Sequence, residues 1–382
     1  MILKVSGSLP FYWRLTNEVN PPDGIPDRMP FSLEYKSGLL VQSRTPELLD
    51  SLEHIYNLDY NIGYIQEGYE IAKGYFEDFR EYLLQQVQAS GPNLEIVEIG
   101  CGGATLLREL SMLGHNVTGV DPSPVSIRAS QRYNLKLVPD FFTSETEIGA
   151  PDLVYHMDVL EHVENPISFL VAQHTKMKPG AKLVVSVPDA TESLELGDLS
   201  ICMHQHLQYF TRESLVSTVE QAGFIVDHVT QANFGGSLYL TAHVSNGQIP
   251  PHTRSRPQIL DFDRFIQSRD LFDRNLKRDI QDFGEVAFYV PLRAMPYLYT
   301  GISDISEDKI RFFDDTEHWH GCHFDGSSVP IENISDLIRK PPPIVYIMSL
   351  TFGDLIEERI MSSMAGSVVI RQLRYILNQG QN

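Results

Sequence analysis

The stretch that most constrains the fold is Val97 to Thr105, where a short apolar run breaks into glycines. Residues 94–99 have the composition of a buried strand, and leucines at helical spacing follow the glycines up to Gly114. This order predicts a strand, a tight glycine turn and a helix. Such a turn lets the backbone approach a ligand closely, and the helix after it directs unpaired N–H groups at that ligand. The pattern predicts a nucleotide-like ligand, although a purely structural turn would show the same glycines.

Beyond this turn, predicted strands and helices alternate with short connections, which is typical of a doubly wound parallel sheet. The predicted strands are 94–99, 116–121, 136–138, 151–155, 182–187, 224–226 and 238–244. The predicted helices are 104–113, 124–132, 166–176 and one that Thr211 caps and Gly223 ends.

Three domains are predicted from this organisation. Residues 1–75 are punctuated by prolines and carry a tyrosine-rich run, so they are expected to form a small lobe that covers the substrate. Residues 76–245 hold the alternating pattern and form the ligand-binding domain. After a linker at 246–257, residues 258–382 alternate again and predict a second, smaller Rossmann-like α/β domain. Its predicted strands are 286–291, 310–314, 343–349 and 367–369.

The composition excludes several classes of partner. The chain has 382 residues and a formal net charge of −20, so it is expected to bind neither nucleic acid nor an anionic membrane surface. Its three cysteines lie far apart, which predicts a reduced, cytoplasmic setting without disulfides. No apolar run has the length of a signal peptide core or a membrane span.

Asp121 lies 21 residues after Gly100, at the end of the second predicted strand, where an acid accepts hydrogen bonds from ribose hydroxyls. This spacing fits a nicotinamide dinucleotide as well as S-adenosylmethionine (SAM). Thr105 replaces the third glycine of a dinucleotide fingerprint, and Glu98 would repel a pyrophosphate but suits a ligand with an ammonium and a sulfonium. Asp140 and Phe141 follow the third strand, where they could hold an adenine.

Four motifs in register resemble the class I SAM-dependent methyltransferases. They are Glu98-x-Gly100-x-Gly102-Gly103, Val120-Asp121-Pro122-Ser123, Asp158-Val159-Leu160-Glu161-His162-Val163 and Lys178-Pro179-Gly180-Ala181. The resemblance implies SAM as cofactor and an α/β fold with a Rossmann-like methyltransferase sheet. It implies that the cofactor-binding residues are Glu98, Gly100, Cys101, Gly102, Asp121, Pro122, Asp140, Phe141, Asp158 and His162.

Further motifs across nearly the full chain resemble the sugar C-methyltransferases, which act on nucleotide-linked keto-deoxysugars. They include Met203 to Thr211, Gly235 to Leu238, Phe312 to Asp315 and Tyr346 to Ser349. This second resemblance implies a nucleotide-sugar acceptor. The chain departs from that family in two ways. Residues 1–90 contain no cysteine, so the family's thiolate zinc site cannot form there, and Tyr-His-Glu-His becomes Met203-His204-Gln205-His206.

Methylation of a carbon beside a ketone needs a base for the α-proton and donors for the enolate. The resemblance makes His206 the candidate base, and a histidine has a suitable pKa near neutrality. The candidate donors are His204, Gln205 and Tyr64 of the N-terminal lobe. A structural or substrate-binding role for His206 remains open.

Several alternatives also stay open. An O- or N-methyltransferase on a sugar or other small metabolite would use the same domain, with His206 deprotonating a hydroxyl or an amine. Other classes are an NAD-dependent oxidoreductase and a catalytically silent SAM-binding protein. The cluster His318, His320, Cys322 and His323 could ligate a metal, but a surface or interface loop is favoured and no metal is expected. The expected partners are a small-molecule acceptor and a second copy of the chain in a homodimer.

Overall fold

A computed structural model describes residues 2–11, 15–16, 26, 28–36, 38–57, 70–245, 262–301, 305–324, 327–363 and 368–379. These residues belong to two compact units. The first unit comprises residues 1–34, 191–205 and 259–382, and the second comprises residues 35–190 and 206–258. Within the described ranges, no helix combines the length and the apolar character needed to cross a bilayer.

The strands, numbered in chain order, are β1 Ile2–Pro10, β2 Leu15–Thr16, β3 Arg28–Lys36, β4 Leu39–Gln42, β5 Glu95–Ile99, β6 Asn116–Val120, β7 Lys136–Val138, β8 Leu153–Met157, β9 Lys182–Pro188, β10 Gln208–Tyr209, β11 Phe224–Gln231, β12 Ser237–Val244, β13 Val286–Tyr289, β14 Ile310–Phe313, β15 His323–Phe324, β16 Ile331–Glu332, β17 Ile344–Ile347 and β18 Val369–Gln372. The α-helices are α1 Pro46–Tyr56, α2 Glu70–Ser90, α3 Thr105–Met112, α4 Pro124–Tyr133, α5 Pro166–Lys176, α6 Thr191–Leu196, α7 Arg212–Gln221, α8 Phe262–Phe283, α9 Pro291–Gly301, α10 Ile334–Arg339, α11 Gly353–Ser363 and α12 Leu373–Asn378.

The second unit is built on a seven-stranded sheet in the order β11-β12-β9-β8-β5-β6-β7. The five strands β5 to β9 run parallel, and β12 is antiparallel to both of its neighbours. The central strands are apolar on both faces because helices cover each side, and Val97, Val154 and Val185 are buried together in one core. The predicted Rossmann-like sheet is therefore confirmed.

Most predicted elements of this unit occur within a few residues of their expected bounds. The N-cap predicted at Thr211 is present, and its hydroxyl and that of Ser214 form a reciprocal capping box. The strand predicted at 224–226 is longer, because β11 continues to Gln231 beyond an irregularity between Val226 and His228. Side-chain alternation changes phase at such a bulge, so the periodicity did not reveal the second half of the strand.

The first unit contains the second α/β sheet that the sequence predicted. Its strands are all parallel, in the order β16-β14-β13-β17-β18. The antiparallel pair β1–β3 belongs to the same unit, and β1 packs against α9. Residues 1–34 thus group with the C-terminal residues rather than standing as a separate lobe, a long-range pairing that local sequence patterns do not encode. The predicted linker at 246–257 lies outside the described residues.

Asp279 joins α8 to this smaller sheet. Its buried carboxylate accepts hydrogen bonds from the Tyr346 hydroxyl at 2.6 Å and from Arg371 Nε at 3.0 Å. These two partners come from the neighbouring strands β17 and β18. The pKa of Asp279 is lowered because the contacts with Arg371 and Tyr346 outweigh the opposing effect of burial.

The carboxyl of Asp314, at the end of β14, predicts a pH-dependent stability. Burial raises its pKa to about 6, although hydrogen bonds from Thr316 act in the opposite direction. The unfolded value is about 3.9, so this group stabilises the fold most below that pH, and its contribution is lost as the pH rises through 6. We expect Asp314→Asn to raise the free energy of unfolding by about 2 kcal/mol at pH 8 and to give little gain at pH 4.

Urea unfolding at the two pH values checks this expectation. The matched control is Asp308→Asn at an exposed carboxyl of the same unit, which should change neither value appreciably. An equal gain at both pH values for Asp314→Asn would show that titration of Asp314 is not the cause.

Candidate functional site

The glycine turn after β5 adopts backbone conformations that favour glycine. Gly100 has a φ of +76° and Gly102 a φ of +44°, while Ala104 is left-handed at +57° immediately before α3. The Gly100 amide donates to the Val120 carbonyl at 2.8 Å, which ties the turn to the end of β6. A Cβ at Gly100 would lie only 2.5 Å from Val159 Cγ2. The turn therefore fits its neighbours only with glycine at position 100.

Asp121 fixes this turn from the neighbouring strand end. Its Oδ2 accepts from the Gly102 amide at 2.8 Å, and its Oδ1 accepts from the Ser123 amide at 2.8 Å and from the Ser123 hydroxyl. A carboxylate offers about four acceptor positions. Three are used by these protein donors, which leaves capacity for one further donor such as a ribose hydroxyl. Pro122 is half-buried between the acid and Ser123.

Glu98 and Cys101 lie beneath the turn. Glu98 is buried and accepts a hydrogen bond from the Tyr155 hydroxyl at 2.8 Å. Burial raises the pKa of Tyr155 well above its ordinary value, and the charge of Glu98 adds to the shift. Burial also raises the pKa of the Cys101 thiol, and the negative charges of Glu98 and Asp121 raise it further. Cys101 is thus a neutral packing residue here rather than a nucleophile.

Asp140 and Phe141 follow β7, as predicted for an adenine-binding pair. Asp140 is exposed, and its Oδ1 accepts from the Phe141 amide at 2.7 Å. The half-buried Phe141 ring lies edge-on to Tyr56, with 6.4 Å between the ring centroids. One side of an aromatic slot is therefore formed by Phe141 and Tyr56.

Asp158 comes directly after β8 in a left-handed conformation, with a φ of +53°. The Tyr75 hydroxyl lies 2.9 Å from each of its carboxylate oxygens and 2.8 Å from Ser237 Oγ. Partial removal from solvent raises the pKa of Asp158 to about 6, although hydrogen bonds from Tyr75 and Ser186 act in the opposite direction. Such strain and such a shifted carboxyl concentrate at functional sites.

Further titratable side chains belong to the 3₁₀ turn Leu160–His162, which follows Asp158 in the chain. The His162 ring lies 5.0 Å from the His206 ring, and its Nδ1 lies 3.1 Å from the Tyr56 hydroxyl. His162 and His206 are both half-buried, whereas Glu161 is buried. The structure therefore brings the candidate base His206 together with His162, a predicted cofactor-site residue.

The other three predicted catalytic residues are His204, Gln205 and Tyr64. His204 and Gln205 belong to the first unit, where His204 is fully buried against the rings of Phe11 and Phe31. Burial lowers the pKa of His204 to about 4. This environment is typical of a packed histidine, while His206 belongs to the second unit. Tyr64 lies outside the described residues.

Two contacts were not assigned from sequence. Tyr56 and Tyr75 belong to the tyrosine-rich segment, and each donates to or contacts a titratable site residue. The signal was the excess of tyrosine before the first strand, which could not show which ring reaches the site. In the first unit, His320 Nε2 contacts the Asp314 carbonyl oxygen at 2.9 Å, in keeping with a structural loop.

Comparison with known proteins relates part of this chain to a protein family. Residues 70–229 match the family model described as a methyltransferase domain. The matched part of the chain, which includes the glycine turn, Asp121, Asp158 and His206, is therefore similar to methyltransferase domains.

The curated relatives include ubiquinone biosynthesis O-methyltransferases. That of Methylobacterium sp. (strain 4-46) is 32% identical over 154 residues, which cover 36% of this chain and 62% of the relative. The mitochondrial enzyme of Schizosaccharomyces pombe is 32% identical over 119 residues, covering 29% of this chain and 43% of the relative. The chain thus spans less than two thirds of the length of these relatives. They do not support the expected resemblance to sugar C-methyltransferases or the assignment to carbohydrate biosynthesis.

Solved structures of similar fold were also found. Magnesium protoporphyrin IX methyltransferase from Synechocystis with bound SAM is 15% identical and has a TM-score of 0.40, covering 53% of this chain and 99% of its own. The 1,6-didemethyltoxoflavin-N1-methyltransferase of Burkholderia thailandensis is 16% identical and has a TM-score of 0.41, covering 56% of this chain and 99% of its own.

The crowding at Gly100 can be separated from its backbone requirement. Gly100 and Gly114 both have positive φ values, +76° and +91°, so alanine at either position costs about 1 kcal/mol in backbone strain. Only at Gly100 does the new methyl meet a neighbour, Val159. We expect Gly100→Ala to lower the free energy of unfolding by about 1 kcal/mol or more beyond Gly114→Ala.

Chemical denaturation of the two variants measures the difference. Truncating the neighbour in Gly100→Ala/Val159→Ala should recover much of the excess loss, because the two changes share one contact. Equal losses for the two glycine variants would contradict the steric explanation.

Proposed function

We propose that this chain is a SAM-dependent methyltransferase that methylates a hydroxyl oxygen of a small molecule. The observation that carries the proposal is the acidic cradle at the carboxyl edge of the methyltransferase sheet. Glu98, Asp121 and Asp158 follow or end three adjacent parallel strands there, around the glycine turn. Ligands of open α/β sheets bind at this edge, where the strand order reverses.

The chemistry of the cradle fits SAM better than a dinucleotide. SAM carries an ammonium and a sulfonium, and carboxylates interact favourably with both groups. A pyrophosphate would face Glu98 and Asp121 at close range, and like charges in a partly buried site repel strongly. This argument disfavours the NAD-dependent oxidoreductase.

Different residues would bind different parts of the cofactor. Asp121 has one acceptor position left for a ribose hydroxyl, and Asp140 with Phe141 would take the adenine amino group and ring face. Glu98 and the turn at Gly100 to Gly102 would hold the methionine part. When bound, SAM supplies an electrophilic methyl group. The protein's contribution is to orient the acceptor and to exclude water from the reacting atoms.

A hydroxyl acceptor must lose its proton as its oxygen attacks. His206 is the candidate group for this step, because an imidazole takes a proton near neutrality and the ring is only half-buried. The names of the curated relatives favour oxygen over carbon as the acceptor atom. An O-methyltransferase also needs no enolate donors, so it does not require His204, Gln205 or Tyr64.

Cofactor choice can be tested directly by calorimetric titration of SAM and NAD. We expect SAM to bind and Asp121→Ala to weaken SAM binding at least about tenfold, because a hydrogen bond to a charged group is lost and the turn loosens. Asp227→Ala, at an exposed acid on the edge strand β11, is the matched control and should leave the affinity unchanged. Tight NAD binding without SAM binding would overturn the proposal.

The acceptor atom is tested with methyl-labelled SAM and two panels of small molecules, one of aromatic and aliphatic alcohols and one of nucleotide-linked keto-deoxysugars. We expect label on oxygen and a loss of about 10²-fold or more in kcat for His206→Ala, the usual size of an acid–base contribution. His228→Ala, at an exposed histidine of β11, serves as the control. Label found only on carbon would establish the sugar C-methyltransferase instead, and SAM binding without transfer to any acceptor would favour a silent binding protein.

A further inference from the structure

We propose that Glu161, His162 and His206 bind one divalent transition-metal ion, which orients the acceptor hydroxyl and lowers its pKa. One ligand atom from each of these side chains lies within 4.8 Å of the others. We call these three residues the Glu161 triad. The binding site itself is argued from the side chains alone, whereas the role assigned to the ion rests on the proposed methyl transfer.

Glu161 provides the strongest reason for a cation here. Its side chain is 1% exposed, and neither carboxylate oxygen accepts a hydrogen bond from another residue in the described part of the chain. A buried carboxylate without such partners is costly, and the cost is removed only by a proton or by a nearby cation.

The second ligand, His162, is oriented so that one nitrogen faces this carboxylate. His162 Nε2 lies 3.7 Å from Glu161 Oε1, beyond hydrogen-bonding distance, while Nδ1 lies 3.1 Å from the Tyr56 hydroxyl. When Nδ1–H donates to the Tyr56 oxygen, Nε2 carries the lone pair that faces Glu161. Metal-bound histidines are commonly held in this way, by a hydrogen bond from the nitrogen that does not bind the metal.

The third ligand comes from a separate segment that the backbone holds beside the 3₁₀ turn. The amide of Leu207, adjacent to His206, donates to the Glu161 carbonyl at 2.7 Å. The Leu207 carbonyl in turn accepts from the Gln42 amide at 3.0 Å. The residue after His206 is therefore held by main-chain hydrogen bonds through both its N–H and its carbonyl, and the His206 ring lies 5.0 Å from that of His162.

The donor set selects the kind of ion. Two imidazoles and one carboxylate suit zinc and neighbouring transition metals, whereas magnesium prefers oxygen ligands. Ligands at 2.0–2.2 Å from one zinc ion are about 3–3.5 Å apart, so small side-chain rotations would close the triad around it. Three protein ligands leave a coordination position for an outside oxygen, as in catalytic zinc sites.

This arrangement assigns His206 a different part in the reaction. A metal ion lowers the pKa of a coordinated hydroxyl, so the acceptor proton leaves to solvent before or as the oxygen attacks. The new bond forms between that oxygen and the methyl carbon, and the carbon–sulfur bond of SAM breaks with its electron pair remaining on sulfur. In the competing explanation Glu161 is protonated and the Glu161 triad holds no metal. His206 then acts as the base.

Metal titration of the full chain separates the two explanations. After treatment with a chelator and dialysis, Zn²⁺ is titrated by calorimetry and Co²⁺ by its visible absorption. We expect one equivalent to bind, with the d–d bands of four- or five-coordinate Co²⁺. His206→Ala should weaken Zn²⁺ binding about 100-fold, and Tyr56→Phe about tenfold, the usual effect of losing an outer hydrogen bond. His243→Ala, at a half-exposed histidine paired with Asp227 on the same sheet, is the control and should bind as the unaltered chain does.

No Zn²⁺ or Co²⁺ binding, or binding that His206→Ala leaves unchanged, would overturn the metal site. Circular dichroism of each variant shows whether it is folded, and Glu161→Gln provides a second variant that keeps the side-chain volume. SAM titrated in parallel keeps the two proposals apart. Methyl transfer that persists without metal overturns only the metal proposal, whereas metal binding with no SAM binding supports the metal site and overturns the proposed function.

Discussion

The site depends first on the hydrogen bonds of one carboxylate. Asp121 accepts from the Gly102 amide with one oxygen and from Ser123 with the other, so it ties the turn after β5 to the start of α4. Both loops follow parallel strands, and this bridge adds to the hydrogen bond from the Gly100 amide to the Val120 carbonyl in holding the turn after β5. Because the bridge uses the backbone N–H of Gly102, it fixes the shape of a turn whose positive φ at this position favours glycine. The remaining acceptor capacity then points to a ligand hydroxyl.

Negative charge collects around this bridge, and the rest of the site follows from it. Glu98 and Glu161 are buried and Asp158 is half-buried near one sheet edge, with Tyr155 and Tyr75 as neutral donors to Glu98 and Asp158. Phenols stabilise carboxylates without neutralising them, so the net charge remains and a cationic ligand is favoured. Glu161 has no such phenol in the described structure, which is why its requirement for a proton or a metal ion differs from that of Asp158.

The sequence predicted the sheet well because its signals were local. Apolar strands, glycine turns and capping residues such as Thr211 are recognised from a few neighbouring residues. Most strands and helices of this sheet could therefore be predicted. The strand-end residues predicted to bind the cofactor could be grouped for the same reason, since parallel strands bring their carboxyl ends to one edge. The grouping of residues 1–34 with the C-terminal residues and the approach of Tyr56 and Tyr75 to the site depend on long-range contacts. No periodicity encodes such contacts. The acceptor chemistry was less accessible still, because His204 and His206 are two residues apart in sequence but belong to different units.

The first unit shows why the acid after the second strand is not sufficient to define such a site. Asp314 follows β14 as Asp121 follows β6, and it accepts from the Thr316 amide at 3.0 Å and from the Thr316 hydroxyl much as Asp121 accepts from Ser123. The turn after β13, however, is Val290-Pro291, where a β-branched residue takes a φ of +61° and proline has no N–H to donate. This turn therefore offers no backbone donor at Pro291, and no glycine stands among the residues that directly follow β13. The raised pKa of Asp314, with burial as its main cause, agrees with a carboxyl enclosed by protein. The difference between the two sheets thus lies in the turn: the acid is common to both, whereas only the turn after β5 is built on glycines.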